Sequence, residues 1–487
     1  MNNCIALLTL RLKSLPPPRL GASAVNSFVL PIRSVSRCLR GAIFVILLTL
    51  APVAARAAEL EVGCASRDIT PEGNMPMWGY GDRHALLSNG VLDPLMAKAV
   101  VLAVGDEKVA LVGLDLGRGP TIAMMAKIRE EIAAQAGIDH VMICGSHTHH
   151  GPVIELTDRD GHGKGKFDAA VAYAQKLPGL LIEAIVEADK SRRPARIGVA
   201  TKNIDYNRNR HTKRTPKVTD PMLAVVRLDD YGGTPIAVMV NFAAHPVMTE
   251  TMVLKFSADY PGFMQRKVEE SLSAPCVFLQ GASGDMSPNP GSDRHGPEKF
   301  GHALAAQVLE LAGSVSTSVP ERPSVMGRVD RFAFNSRVDF SSPLLQAAFS
   351  AAFFPELVRN FVDEYRNGIT AELNTVIING QIALVGGSGE FFCNHSNRLK
   401  ERSYIDHTLF LGYCNGHNLY FPTIEAASEG GYGADQTVSP VELGAGEQMM
   451  NRALVNIYAM LRKFSDKPAL RAKEPAAPVA RTTGPAP

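Results

Sequence analysis

The most constraining feature of this sequence is a short apolar run followed closely by three histidines. Residues 141–144 are apolar enough for a buried strand, and Gly145 ends the run. His147, His149 and His150 follow. Since alternate residues of an extended chain point to the same side, His147 and His149 can face one small volume, and histidine nitrogen is a common zinc ligand. The alternative is a histidine-rich surface loop.

Four later apolar runs also end in side chains that can bind a metal or take part in catalysis. Among the side chains that follow these runs are His245, Glu390 and Tyr420, and Tyr432 comes shortly afterwards. In α/β proteins, ligands tend to bind outside the carboxyl ends of the strands. A shared site at one edge of a sheet is the simplest explanation for the repeated pattern.

The run that ends at Leu279 leads into a loop rich in glycine and serine, at 280–289. Such a loop exposes backbone amides and suits a nucleophile with oxyanion donors. Ser283, Asp285 and Ser287 compete for these roles. The alternative is a plain turn, because the same residue types form turns.

Apolar runs and helical periodicities alternate along the chain, which predicts an α/β fold. Strands are predicted at 99–104, 108–116, 141–144, 222–228, 235–240, 275–279, 373–378, 381–385 and 408–411, and helices at 121–136, 168–190, 261–273 and 297–313. Pro178 should interrupt the second of these helices. We therefore expect a mixed β-sheet core flanked by helices, with the active site at the strand ends.

Charge and an N-terminal signal limit the partners and the compartment. The formal net charge is only +2 at pH 7, so nothing indicates a nucleic-acid partner. Arg33, Arg37 and Arg40 precede the apolar run 42–51, and Ala-Arg-Ala at 55–57 is a small-residue cleavage site. This pattern predicts a secretory signal peptide and an exported protein, periplasmic or secreted. The alternative is an N-terminal anchor that is not cleaved.

The chain is expected to divide into three parts. These are a signal peptide with its upstream segment at 1–57, one catalytic domain at 58–465 and a disordered tail at 466–487. The domain contains an odd number of cysteines with no disulfide framework in their spacing: Cys64, Cys144, Cys276, Cys393 and Cys414. We expect most of them to be buried thiols, and the sequence leaves their pairing open.

Residues 342–366 form an apolar stretch with several phenylalanines. The simpler interpretation is a pair of helices packed on the core. The more specific one is an apolar wall or lip for a lipid-like substrate. The sequence pattern is compatible with both.

Several short motifs, in order along the chain, resemble the neutral, non-lysosomal ceramidase family. The motif at 147–152 resembles that family's His-Thr-His-Ser-Gly-Pro, and the motif at 284–289 resembles its Gly-Asp-Val-Ser-Pro-Asn. Gly-Glu-Phe at 389–391 resembles the family's Gly-Glu-Phe, and the segment 414–423 resembles its Cys-Asn followed by Tyr-x-Thr-Thr. Asn-Arg at 207–208 resembles its Asn-Arg-Ser segment.

The resemblance spans roughly residues 60–465 and implies a zinc-dependent site. The residues that it implies as metal ligands are His147, His245, Glu390 and Tyr420. The residues that it implies in catalysis are Ser287 as the nucleophile, with His149, Arg208 and Tyr432 in contact with the reacting amide or its oxyanion.

The activity that the resemblance implies is hydrolysis of the N-acyl amide bond of ceramide or a ceramide-like lipid to a fatty acid and a sphingoid-type amine. A lipid-like substrate also implies transient contact with a membrane surface, while the oligomeric state is left open. His150 replaces the family's serine, and the chain ends too soon for the C-terminal immunoglobulin-like domain of longer members. The alternatives are a zinc hydrolase of a different N-acyl amide or ester, and a non-catalytic exported protein that binds amphiphiles.

Overall fold

The computed structural model describes residues 58–156 and 165–465, so the predicted signal peptide and tail lie outside the described residues. The strands are β1 (Leu60–Asp68), β2 (Met96–Val104), β3 (Glu107–Leu114), β4 (His140–Gly145), β5 (Arg193–Asn203), β6 (Asn207–Asn209), β7 (Met222–Asp230), β8 (Pro235–Phe242), β9 (Cys276–Gln280), β10 (Met286–Pro288), β11 (Val325–Phe334), β12 (Ile369–Ile378), β13 (Ile382–Gly387), β14 (Glu390–Phe391), β15 (His407–Leu411) and β16 (Tyr420–Phe421). The helices are α1 (Ile122–Ala136), α2 (Asp168–Lys190), α3 (Asp259–Leu272), α4 (Pro297–Ser314), α5 (Pro343–Ala352), α6 (Pro355–Tyr365), α7 (Cys393–Arg402), α8 (Ile424–Glu429) and α9 (Ala445–Met460).

Two mixed sheets form the centre of the described region. The larger sheet has the strand order β4-β3-β2-β1-β5-β7-β8-β9, and the smaller has the order β11-β12-β13-β15. The pairs β3–β4, β8–β9 and β13–β15 are parallel, and the other neighbours in these sheets are antiparallel. The predicted α/β fold, a mixed sheet core with flanking helices, is confirmed.

The cores lie between the sheets and between each sheet and its helices. One cluster joins the two sheets and includes Val100, Leu102 and Met142 from the larger sheet and Leu384 and Leu409 from the smaller one. Separate clusters bury α1 and α2 against β1–β4, and α3 and α4 against β7–β9. Removal of these apolar side chains from water is the main stabilising contribution, about 1.5–3 kcal/mol for each large one.

Pro178 does not interrupt α2, contrary to the prediction. The helix is continuous from Asp168 to Lys190 with Pro178 inside it. Leu177, Leu181 and Ile185 are buried against the sheet on the same helix, so tertiary packing outweighs the loss of one backbone hydrogen bond. Among the described residues α2 is the one helix long and apolar enough to span a membrane, but here it packs on β1, β2 and α1.

The cysteines in the described residues are free thiols. Four are buried, and Cys64 is half-buried. Burial raises the pKa of the Cys64 thiol to about 12, so this thiol is protonated and unreactive near neutral pH.

Candidate active site

The carboxyl ends of several strands meet at one place and bring the predicted metal ligands together. His147 follows β4, in the left-handed region with φ at 69°, and His245 follows β8. Glu390 and Tyr420 are paired in register on the short parallel strands β14 and β16. These side chains come from four separate parts of the sequence, and all are buried.

Three acceptor atoms converge at the centre of this site. His147 Nε2 lies 3.0 Å from His245 Nε2. Glu390 Oε2 lies 3.3 Å from the first nitrogen and 3.2 Å from the second. These distances place two imidazoles and one carboxylate around a volume the size of a single ion.

The other ring nitrogens of the two histidines each contact a backbone carbonyl oxygen. His147 Nδ1 lies 2.7 Å from the carbonyl oxygen of Gly117, and His245 Nδ1 lies 2.7 Å from that of Ser283. A carbonyl only accepts, so each Nδ1 carries the donated hydrogen and each Nε2 of a neutral ring presents a lone pair. Two lone pairs 3.0 Å apart cannot hydrogen-bond to each other.

The electrostatics of the site favour an unprotonated His245 and an ionised Glu390. Burial lowers the pKa of His245 to about 3, with a further contribution from the charge of Arg210. Burial alone would raise the pKa of Glu390, but its contacts with the neighbouring histidines outweigh this and hold the pKa well below its usual range. Two imidazole nitrogens and a carboxylate this close together could hold a cation between them, and this donor set suits zinc. The residues present therefore fit the metal that the resemblance implies.

Arg210 supplies a positive charge at this cluster, and sequence reasoning missed it. Its Nη2 lies 2.9 Å from His245 Nε2 and 3.1 Å from Tyr420 Oη, and it also donates to the carbonyl of Gly284 at 2.9 Å. The Arg210 guanidinium thus donates to the lone pair of His245 Nε2, which is the lone pair that a metal ion would use. The Asn-Arg repeat at 207–210, which places a second arginine two residues after Arg208, was the available signal.

Arg208 is placed differently from Arg210. It lies on β6, directly opposite Ser287 on β10, in an antiparallel pair. Opposite residues of such a pair project to the same side, and both are more exposed than their strand neighbours. The structure therefore brings Arg208 beside Ser287 but not into the histidine cluster.

The three candidates in the loop after β9 have different environments. Ser283 is fully buried, with its hydroxyl 2.9 Å from Tyr413 Oη. Asp285 is buried and accepts hydrogen bonds from Asn209 and from the backbone of Cys393. These two side chains are occupied by structural contacts.

Ser287 is half-buried, and its hydroxyl has no hydrogen-bond partner within 58–156 and 165–465. The residue before it, Met286, accepts a hydrogen bond from the backbone of His245 at 3.1 Å. Ser287 is therefore one residue away from a direct contact with a candidate metal ligand. Of the three candidates, it is the one with a free and accessible hydroxyl.

His149 borders the cluster, and its ligand atom lies within 4.8 Å of those of His147 and His245. Its Nε2 lies 3.3 Å from His147 Nε2, and its Nδ1 is buried with no partner among the described residues. Burial holds the pKa of His149 well below its usual range. Gly79 (φ 106°) lies against the ring, where a Cβ would come within 2.4 Å of it, so only glycine fits here.

Two tyrosines, Tyr420 and Tyr432, line the site together with His147 and His149. Tyr420 is only 4% exposed, and burial raises the pKa of its phenol well above the usual value. Tyr432 is 68% exposed, and its ring lies 5.6 Å from that of Tyr420. Tyr432 therefore stands at the exposed mouth of the site.

Trp78, the only tryptophan of the chain, forms one wall of the site. Its ring makes edge contacts with the rings of His147, His149 and His417, at 5.2, 5.9 and 5.1 Å. The indole Nε1 donates to Glu155 Oε1 at 3.0 Å, which fixes the orientation of the ring. His417 was not predicted from the sequence as a site residue.

One cavity connects the cluster to an apolar wall. Its polar end includes His147, His149, Glu390 and Tyr420. Its apolar end is built largely from α5 and α6 and the residues between them, namely Phe349, Phe353, Phe354, Leu357, Val358 and Phe361. Several of these side chains are also buried in the core, so the 342–366 stretch both packs on the core and lines a cavity.

Comparison with known proteins agrees with this arrangement. Residues 60–299 match the family described as neutral/alkaline non-lysosomal ceramidase, N-terminal. The chain belongs to the neutral/alkaline non-lysosomal ceramidase family. The family match covers β1 to β10 and therefore includes the segments that carry His147, His245 and Ser287.

A curated relative and two solved structures are similar to this family member. Neutral ceramidase B of Dictyostelium discoideum is 25% identical over 178 residues, which cover 31% of this chain and 24% of that protein. A ceramidase solved in complex with C2 has a TM-score of 0.66 at 17% identity, over 84% of this chain and 76% of the other. Neutral ceramidase from Pseudomonas aeruginosa has a TM-score of 0.66 at 18% identity, over 84% and 75%. The structural likeness shows a shared fold.

Proposed function

We propose that this protein is a zinc-dependent amidohydrolase that cleaves the N-acyl amide bond of ceramide or a ceramide-like lipid. The products would be a fatty acid and a sphingoid-type amine. The observation that carries the proposal is the convergence of His147 Nε2, His245 Nε2 and Glu390 Oε2 at the polar end of a cavity with an aromatic wall. Membership of the ceramidase family supports the same reaction.

The proposed zinc ligands are His147, His245, Glu390 and Tyr420. The ligand atoms of the first three lie within 3.3 Å of one another, and Tyr420 Oη is linked to them through the shared contact with Arg210. Zinc in such a site acts as a Lewis acid and lowers the pKa of a bound water toward about 7. An ion held by His245 Nε2 would use the lone pair that Arg210 contacts, so Arg210 would have to move away from His245.

Ser287 is the proposed nucleophile. Its oxygen forms a bond to the amide carbonyl carbon, the carbon–nitrogen bond breaks, and the serine proton ends on the departing amine. Water then cleaves the acyl-serine ester, which releases the fatty acid and restores the hydroxyl. His149, Arg208 and Tyr432 are proposed to contact the amide or its oxyanion, a role in which the loss of one donor typically lowers the rate by about 10²–10³.

The cavity indicates how the substrate would lie. The reacting amide belongs at the histidine cluster, and an acyl chain fits the apolar end formed by Phe349, Phe353 and Phe354. Tyr432 at the mouth would meet the more polar part of the lipid. A lipid substrate is consistent with an exported enzyme, periplasmic or secreted, that contacts a membrane surface transiently.

Fatty-acid release from a short-chain ceramide by purified residues 58–487, compared with release from other N-acyl amines and from esters, tests the proposal. We expect release from ceramide that stops when a chelator removes the metal and returns with zinc. Zinc bound at one per chain with no release from ceramide would discard ceramide as the substrate. Release that a chelator does not affect would discard the metal-dependent reaction.

A further inference from the structure

The carboxylate of Glu390 uses its two oxygens for different neighbours. Oε2 faces His147 and His245, and Oε1 lies 3.2 Å from His417 Nε2. We propose that His417 is a positioning residue that holds Oε1 and thereby aims Oε2 at the ion, and that it is not itself a metal ligand. This inference rests on the zinc site proposed above.

His417 is close enough to be considered as a ligand. His147, Glu390 and His417 offer ligand atoms that all lie within 4.8 Å of one another. Geometry alone therefore permits two roles for this histidine, and they differ in which ring nitrogen carries the proton. As a ligand His417 needs an unprotonated Nε2, whereas as a donor to Glu390 it needs a protonated one.

The second ring nitrogen distinguishes the two roles. A histidine that binds a metal almost always donates its other N–H to an acceptor. His147 and His245 do so, to Gly117 and to Ser283. His417 Nδ1, in contrast, is buried and has no partner within the described ranges 58–156 and 165–465. A ligating His417 would leave a buried N–H unpaired, while the Nε2–H form satisfies its donor on Glu390.

The ring of His417 is held in place independently of Glu390. It is stacked on Tyr413 at 6.0 Å and contacts the edge of Trp78 at 5.1 Å. The backbone is anchored as well, because Tyr365 Oη donates to the His417 carbonyl at 3.2 Å. A rigid donor at this position fixes the carboxylate before any ion arrives, which lowers the entropic cost of binding.

The test is zinc affinity, measured by competition with a chromophoric chelator, for the wild type and three variants. His417→Ala removes the donor, and His417→Gln restores an N–H near the position of Nε2. His395→Gln is the matched control, since His395 is also buried but its ring contacts Phe391 and not a proposed ligand. Far-UV circular dichroism shows whether each variant is folded, and emission from Trp78 gives a second readout of ion binding beside His147 and His417.

We expect His417→Ala to weaken zinc binding by about 10–100-fold, as partners of metal ligands typically do. His417→Gln should recover most of that affinity, and His395→Gln should bind as the wild type does. Affinity of His417→Ala within twofold of the wild type would overturn the positioning role. If His417→Gln bound zinc as weakly as His417→Ala, the nitrogen would act as a ligand, which also overturns it. A wild type that binds no zinc would overturn the proposed metal site itself.

Discussion

Replacement of Glu155 by alanine should destabilise the fold and loosen the wall of the active site. Arg118 and Glu155 form an ion pair at 3.0 Å in which both side chains are almost completely buried, at 1% and 0% exposed. The same Glu155 oxygen accepts the indole N–H of Trp78. Alanine at 155 would leave a buried guanidinium and a buried indole N–H without their acceptor.

The expected loss of unfolding free energy follows from the burial of this ion pair. Removal of one partner of a buried ion pair usually costs about 3–5 kcal/mol, because the other charge is left uncompensated. Glu364 also acts on Arg118 through its charge, so we expect a loss near the lower end, about 3 kcal/mol. The double variant Arg118→Met with Glu155→Gln removes the charge and keeps an acceptor for Trp78, so it should recover most of that loss.

Equilibrium urea unfolding followed by far-UV circular dichroism measures the free energy of unfolding of the wild type and both variants. Unfolding must be followed by the circular dichroism of the backbone and not by fluorescence, because Trp78 emission will change when its hydrogen-bond acceptor is removed. A loss below about 1 kcal/mol for Glu155→Ala would show that the pair is not an important part of the buried structure. Equal losses for the single and double variants would show that the uncompensated charge of Arg118 is not the cause.

The remaining predictions concern the two arginines and one histidine. Arg210→Gln should bind zinc about tenfold more tightly, because a positive charge next to the ion is removed, and unchanged affinity in a chelator competition would contradict this. Arg208→Gln should lower kcat for amide hydrolysis by about 10²-fold without changing zinc affinity, and a changed affinity would place Arg208 at the metal. Burial lowers the pKa of His150 to about 4, so its stabilising effect is complete above its ordinary pKa near 6.5 and is lost as the pH falls. The wild type should therefore lose about 1.5 kcal/mol more than His150→Gln in unfolding free energy between pH 6.5 and 5, and parallel pH profiles would contradict this.

The parts of the fold that could be read from the sequence are those in which one physical signal dominates. Residues 99–103, 109–114 and 236–240, which form most of β2, β3 and β8, are buried on both faces and include no charged side chain. Strands β5 and β11 were not predicted, because few residues of Arg193–Asn203 and Val325–Phe334 are buried and several are charged. A partly exposed segment that includes glycine and several charged residues is difficult to distinguish from a loop by its sequence.

The residues of the candidate site also divide into those that the sequence pattern reveals and those that it does not. His147 and Glu390 could be found because each follows an apolar run and a glycine, which marks a strand end at any position in the chain. Arg210 and His417 could not, since their importance depends on which distant atoms they meet: His245 Nε2 for the arginine and Glu390 Oε1 for the histidine. A sequence gives residue types and spacing, but pairings across long separations exist only once the sheets have formed.

The central claim is that one zinc ion at His147, His245 and Glu390 makes Ser287 able to cleave an amide. The most direct measurement is the rate of fatty-acid release from short-chain ceramide as zinc is added back to chelator-treated enzyme. We predict that activity returns in proportion to zinc and levels off at one ion per chain. We also predict that Ser287→Ala still binds the ion but hydrolyses the amide more than about 10³-fold more slowly. Ser283→Ala should stay active. Full activity without zinc, or in Ser287→Ala, would contradict the account.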